Sequence, residues 1–207
     1  FPVGPVSIGM GEPSSPTLTL AALAVAVGVV QVLLALVGVD PWYFALAWPL
    51  ADRPWTLVTS IFAHGSLGHL LSNLLGLVVV GIFLERRTSP TRFYAFFLVA
   101  GVAAGVAQVA VTTLVFGQQT AVLGASGAVF ALLGYVLAAN RLTETIAAGI
   151  AVSPRVQLAV VFGVAGTLTV VTAGAGVALI AHFTGLSLGL LAGREHLLRP
   201  SPPVPGS

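Results

Sequence analysis

The chain has 207 residues, of which 57% are hydrophobic and only 7% charged. Soluble domains carry about 25% charged residues, so a single water-facing core is excluded and the bilayer is the expected solvent. All eight basic residues are Arg, with Arg86, Arg87 and Arg92 the largest cluster; this excludes a nucleic-acid surface, and the lack of cysteine excludes disulfides and thiol chemistry.

Residues 1–17 are rich in Pro, Gly and Ser and read as a flexible tail. They hold no basic residue and no long apolar run, unlike a signal peptide. The chain opens on Phe1 rather than Met, as a fragment or a processed form would. Six apolar segments follow, each near the roughly 20 residues of a membrane-spanning helix. They run from about Leu18 to Val39, Ser66 to Leu84, Phe93 to Phe116, Ala121 to Ala139, Val156 to Thr172 and Val177 to Gly193. The longest loop, about 40–65, carries Trp42, Tyr43, Trp48, Trp55 and Phe62. Trp and Tyr favour the membrane–water interface, so this loop is expected in the headgroup layer. The Gly-rich stretch 173–176 separates the last two segments. The expected organisation is a tail (1–17), an all-α six-helix membrane domain (18–193) and a second tail (194–207).

Six spans put both termini on one side. That side receives Arg86, Arg87, Arg92, Arg141, Arg155, Arg194 and Arg199, while the other receives only Arg53. Basic residues favour the cytoplasmic face, so both termini are expected inside and the aromatic loop outside. The Lys-free, Ala/Val/Gly-rich composition hints at a GC-rich prokaryotic genome, and hence at a prokaryotic plasma membrane.

Polar groups inside membrane helices are expensive and usually functional. Here His69 and Asn73 lie near the start of the second segment, Ser126 in the fourth and His182 in the sixth. Ser126 and His182 each fall about five residues into their segments, roughly 8 Å deep at about 1.5 Å per residue. All three segments enter from the outer side, so the four residues share one depth. Gly124, Ser126 and Gly127 form a small-residue patch, and Ala181, Gly185 and Gly189 a small-residue stripe, which lets two helices approach closely. A serine hydroxyl needs a neighbouring base to become nucleophilic; His182 is the candidate base. No Asp or Glu lies within the apolar interior of any segment, so a Ser126–His182 dyad is more economical than a triad. Phe130 shares a helical face with Ser126 and is placed to stack on His182. His69, Asn73 and the Ser126 backbone N–H are candidates to stabilise an oxyanion.

The segments Gly124-Ala-Ser126-Gly127, His69-Leu-Leu-Ser-Asn73 and Ala181-His182-Phe-Thr-Gly185-Leu-Ser-Leu-Gly189 resemble the three signatures of rhomboid proteases, in the family's order. The GxSG pattern implies Ser126 as nucleophile, AHxxGxxxG implies His182 as base, and HxxxN implies an oxyanion-binding role for His69 and Asn73. His64 matches a frequent family position, and Gly81 to Arg86 resembles the family's inner-edge Glu-Arg turn. The resemblance covers about residues 18–193. It implies one six-helix bundle that cleaves transmembrane protein substrates in or near their membrane segments, without metal or cofactor. Two positions depart from the pattern: Trp55-Thr56 stands where many bacterial members carry Trp-Arg, and Phe130 where Tyr is frequent.

Other readings fit less well. His64 and His69 lack the HExxH arrangement of zinc proteases. The two Asp residues share one loop, which excludes an aspartyl protease, and the sequence around Ser126 is not the GxSxG of a hydrolase elbow. A rhomboid-like protein that binds membrane clients without cutting them usually lacks the Ser or the His. A transporter needs polar groups along a whole path, and the inner halves of the segments show almost none. Three residues lie outside the site: His196 is expected in the solvated tail, Glu85 as a cap or ion-pair partner, and Gln108 as an interhelical hydrogen-bonding group. The oligomeric state is left open.

Overall fold

The computed structural model describes residues 15–139, 154–171 and 178–199. The first 14 residues, the 140–153 loop with Arg141 and Glu144, the 173–176 boundary and the end of the C-terminal tail lie outside the described residues.

Helix α1 (Pro16–Leu36) starts where the Ser15 hydroxyl accepts the Leu18 N–H and Pro16 fills the first position, whose N–H has no helical acceptor anyway. The Ser15 hydroxyl also lies 2.8 and 2.7 Å from the two carboxylate oxygens of Glu85, and the Thr17 N–H donates to Glu85 at 2.9 Å. Glu85 thus caps a neighbouring helix. One turn earlier Gly81 lets the two helices meet, since a Cβ there would stand 2.6 Å from the Thr17 hydroxyl. The helix stops at Gly38, where φ is +85° and the Gly38 and Val39 N–H groups close back on Ala35 and Leu34.

The aromatic loop is structured. A 3-10 turn (Pro41–Phe44) is capped by the Asp40 carboxylate, which accepts the Trp42 N–H at 2.8 Å. Strand β1 (Leu46–Ala47) and a short helix α2 (Thr56–Phe62) follow. The Tyr43 ring packs on Trp55 at 5.7 Å, and Arg53 donates to the Trp42 and Tyr43 carbonyls at 3.5 Å each. Arg53 therefore ties the loop from a position two residues before Trp55, where the family's usual Arg would follow it. Trp42, Tyr43 and Trp55 are exposed.

Helix α3 (Leu67–Glu85) is capped by Ser66, and α4 (Pro90–Ala110) by Ser89 with Pro90 at its first position. A π-helical turn (Val111–Val115) extends α4. Strand β2 (Ala121–Val122) pairs antiparallel with β1, Leu46 opposite Val122 and Ala47 opposite Ala121. Helices α5 (Ser126–Ala138), α6 (Pro154–Val171) and α7 (Leu179–Arg194) complete the bundle.

All six apolar segments contain a helix, with α2 an addition in the loop. Among the described residues, three helices are long and apolar enough to cross a membrane: α1, α3 and α4 with its π-turn. The other three are apolar but shorter. The fourth segment differs from expectation. Ala121 and Val122 are strand, and Gly124, at φ +113°, breaks the backbone before a helix can form. Ser126 is consequently the first residue of α5 and not several residues inside it; His182 is the fourth of α7.

The tightest pairing in the bundle is α5 against α7, made by backbone meeting backbone. A Cβ on Gly185 would run into the Gly127 carbonyl, one on Gly189 into the Ala131 carbonyl, and one on Gly193 would reach 2.5 Å from the Tyr135 carbonyl. On the other helix, a Cβ on Gly127 would stand 2.5 Å from the Ala104 Cβ of α4. Phe93, Phe97, Leu77, Leu132 and Tyr135 fill the main core. The outer faces expose Val29, Leu33, Leu75, Val79, Val99 and Val170. So broad an apolar exterior suits lipid and not water.

Residues 195–199, just after α7, pack on the bundle. His196 is half-buried at φ +51° in the turn that closes α7, and the buried Leu198 donates its N–H to the Tyr135 hydroxyl at 3.2 Å.

Candidate active site

Ser126, His182, His69, Asn73 and Phe130 all line one cavity of about 650 Å³ at the end of the bundle that carries the aromatic loop. Trp42 and Ser66 stand at its wall near that loop, and Val80, Val129 and Leu133 give its apolar part.

Ser126 is held by what precedes it. The Gly124 N–H donates to the Ser60 carbonyl of α2 at 2.8 Å, and the β1–β2 pair fastens Ala121 and Val122. Gly124 is required twice over. Its positive φ is rarely adopted by other residues, and a Cβ would stand 2.6 and 2.7 Å from the His69 ring and 3.5 Å from the Asn73 amide nitrogen. Helix α5 has no side-chain cap. The first N–H groups of a helix lack intrahelical partners, and the helix dipole favours negative charge there, at the level of Ser126.

His182 is buried, and its ring stacks on Phe130 with centroids 4.3 Å apart and planes 19° apart. The His182 Nδ1 atom has no hydrogen-bond partner among the described residues, and no Asp or Glu lines the cavity. Ser126 and His182 share the cavity wall without a hydrogen bond between them among the described residues. In unliganded sites such bonds are often long and tighten with substrate.

His69 and Asn73 are one turn apart on α3. The Asn73 amide donates one N–H to the His69 carbonyl at 2.9 Å, which fixes the side chain and leaves its second N–H. His64, in the loop before α3, stands edge-on to His69 with centroids 5.1 Å apart. Its Nδ1 lies 3.0 Å from the Phe62 carbonyl, so Nδ1 carries the proton. Burial, and secondarily the neighbouring His69, pull His64 down to about 4 against that carbonyl, so it stays neutral at physiological pH. Gly185 and Gly189 lie outside the cavity; with Gly127 they set the spacing of the two helices that bear Ser126 and His182.

Two supports, Gln31 and Ser60, were not legible as such; a third, Gln108, makes the interhelical hydrogen bond expected of it. Gln31 of α1 accepts the His64 N–H at 2.9 Å and donates to the Pro41 carbonyl at 3.4 Å. Gln108 accepts two N–H groups of α7. Ser60 contributes only its carbonyl. Both glutamines are visible as polar residues in apolar segments, but their partners are backbone groups, which no side-chain pattern reveals. Among the described residues no group of three or more His, Cys, Asp or Glu is arranged to hold a metal ion.

The Rhomboid domain family matches residues 51–197. Over 181 residues the chain is 33% identical to the rhomboid protease GlpG of Serratia proteamaculans (strain 568), covering 84% of this chain and 60% of that protein. Over 182 residues it is 32% identical to the rhomboid protease GlpG of Yersinia pestis (strain Pestoides F), with the same coverage. Over 149 residues it is 33% identical to RHOMBOID-like protein 4 of Arabidopsis thaliana, covering 72% of this chain and 36% of that one. The chain thus spans less than two thirds of the length of these relatives. A match over this much of the sequence, on a bundle of apolar helices, makes the chain an integral membrane protein of the rhomboid family.

Proposed function

We propose that the chain is a six-span intramembrane serine endopeptidase that cuts transmembrane protein substrates in or near their membrane segments. Both termini lie in the cytoplasm and the site opens to the outer face. The observation that carries this reading is the convergence of Ser126, His69, Asn73 and a His182 stacked on Phe130 in one cavity beside the interfacial loop.

The chemistry follows from the groups present. His182 takes the Ser126 proton as Oγ attacks the scissile carbonyl carbon. The carbonyl oxygen becomes an oxyanion, held by the Ser126 N–H at the start of α5, the His69 ring N–H and the free Asn73 N–H. His182 returns the proton to the leaving amine as the C–N bond breaks, which leaves an acyl-Ser126. Water, deprotonated by His182, attacks the acyl carbon; the bond to Oγ breaks, His182 returns the proton to Ser126, and the acid is released. Ser126 and His182 act as a dyad; the Phe130 ring takes over the holding of the imidazole that a carboxylate performs in a triad. A substrate helix must unwind locally before its carbonyl can be attacked, since its amides are hydrogen-bonded. Substrates with small or helix-weakening residues near the cut are therefore favoured.

The test is labelling of the detergent-solubilised protein with a fluorophosphonate probe, beside Ser126→Ala and His182→Ala. Labelling of the wild type that both substitutions abolish is expected. A folded wild type that does not label would make a client-binding relative that cuts nothing the leading reading.

A further inference from the structure

Among the described residues, helix α7 has no side-chain cap from its own sequence. Its cap position is Ala178, which has no side-chain acceptor, yet the first N–H groups of any helix lack intrahelical partners. The acceptor comes from α4. Gln108 Oε1 accepts the Ile180 N–H at 3.0 Å and the Ala181 N–H at 3.2 Å. These are the two residues before His182, whose own N–H makes the first intrahelical bond, to the Ala178 carbonyl at 3.0 Å.

The amide of Gln108 is itself held. Its Nε2 donates to the Thr112 hydroxyl at 3.0 Å, which fixes which end of the amide faces α7. Thr112 lies in the π-turn that extends α4, and its carbonyl accepts the Gln118 N–H at 3.0 Å. Such turns occur frequently at functional sites. The imidazole of His182 has few other tethers: one ring face lies on Phe130, and Nδ1 has no partner among the described residues. Its place is therefore set by where the first turn of α7 puts its Cα.

We infer that Gln108 is a positioning residue for His182: by capping α7 in trans it fixes the turn that presents the base to Ser126. The inference rests on His182 being the base.

The experiment is fluorophosphonate labelling of the full chain at several probe concentrations, which separates the maximal inactivation rate from probe binding, with thermal unfolding recorded alongside. Gln108→Leu removes the acceptor, Gln108→Glu keeps it, and Thr112→Val frees the amide to turn. Gln108→Leu is expected to lower the maximal rate about ten- to a hundred-fold with little change in probe binding, as about 1 Å of misplacement does. Gln108→Glu is expected to recover most of that rate, and Thr112→Val to fall between. A folded Gln108→Leu that labels at the wild-type rate would sink the inference, as would a Gln108→Glu no faster than Gln108→Leu. If Gln108→Leu does not fold, Thr112→Val decides alone: a lowered rate supports the inference and an unchanged one overturns it. A wild type that fails to label removes the protease reading and this inference with it; a labelled wild type with indifferent variants removes only the inference.

Discussion

Gly124 answers three demands at once. It turns the chain at φ +113°, gives its N–H to Ser60, and leaves room for the His69 ring. Gly124→Ala keeps the hydrogen bond in principle but meets the other two demands badly. Strained backbone of this kind costs about 1–3 kcal/mol, and the added methyl displaces His69 or the loop that carries Ser126. Labelling by a fluorophosphonate should therefore fall by about a hundred-fold, with a lower unfolding temperature. Labelling at the wild-type rate would mean that His69 moves aside at no cost. At this scale much of the site was legible. Ser126, His69, Asn73 and His182 stand out because a polar group in an apolar helix needs a reason, and all four line the cavity. Gly124 was legible as part of a motif, but not the positive φ, nor the ring that fills the space its missing side chain leaves.

Among the elements, α5 and α7 approach so closely because glycine lets their backbones meet, with Leu186 and Leu190 packing against Phe130 and Leu133 beside that seam. Gly189→Val sets a branched side chain against the Ala131 carbonyl and the Tyr135 nitrogen, backbone atoms that no rotamer change can move. The helices must part, and the loss should be at least the 1–3 kcal/mol of an overpacked core, read as a lower unfolding temperature in detergent. Gly163→Ala on α6 is the control, because a Cβ there meets nothing within 4 Å. It should leave stability unchanged or raise it by about 0.5–1 kcal/mol, the usual gain of Ala over Gly in a helix. Helix starts were the least legible feature. Residues 121–125 are apolar or small enough to read as helix, and hydrophobic pattern alone cannot tell a short buried strand from a helical turn. Their pairing with Leu46 and Ala47 depends on residues far away in the chain. The short α2 escaped for the same reason, being only 7 residues inside an aromatic loop.

For the whole molecule, the bilayer makes the reading simple. A hydrocarbon layer demands runs of about 20 apolar residues, so segments are easy to find even where their ends are not. The arrangement of the Arg residues is the ground for the proposed sides. The cysteine-free chain offers a direct check. Asp52→Cys in the aromatic loop and Glu195→Cys after α7 both place a thiol at an exposed position. In intact cells a membrane-impermeant maleimide should label Asp52→Cys, and should label Glu195→Cys only after lysis. Labelling of both before lysis would contradict six spans with the termini inside.

The glycine seam between α5 and α7 also says something about tolerance. Ser126 and His182 ride on two bars pressed together at Gly127 against Gly185 and at Ala131 against Gly189. At these points their separation is gauged by the radii of carbonyl and α-carbon atoms, which do not compress. A gauge of this kind errs in one direction only. A larger side chain at a seam glycine can open the gap between Ser126 and His182, but cannot close it.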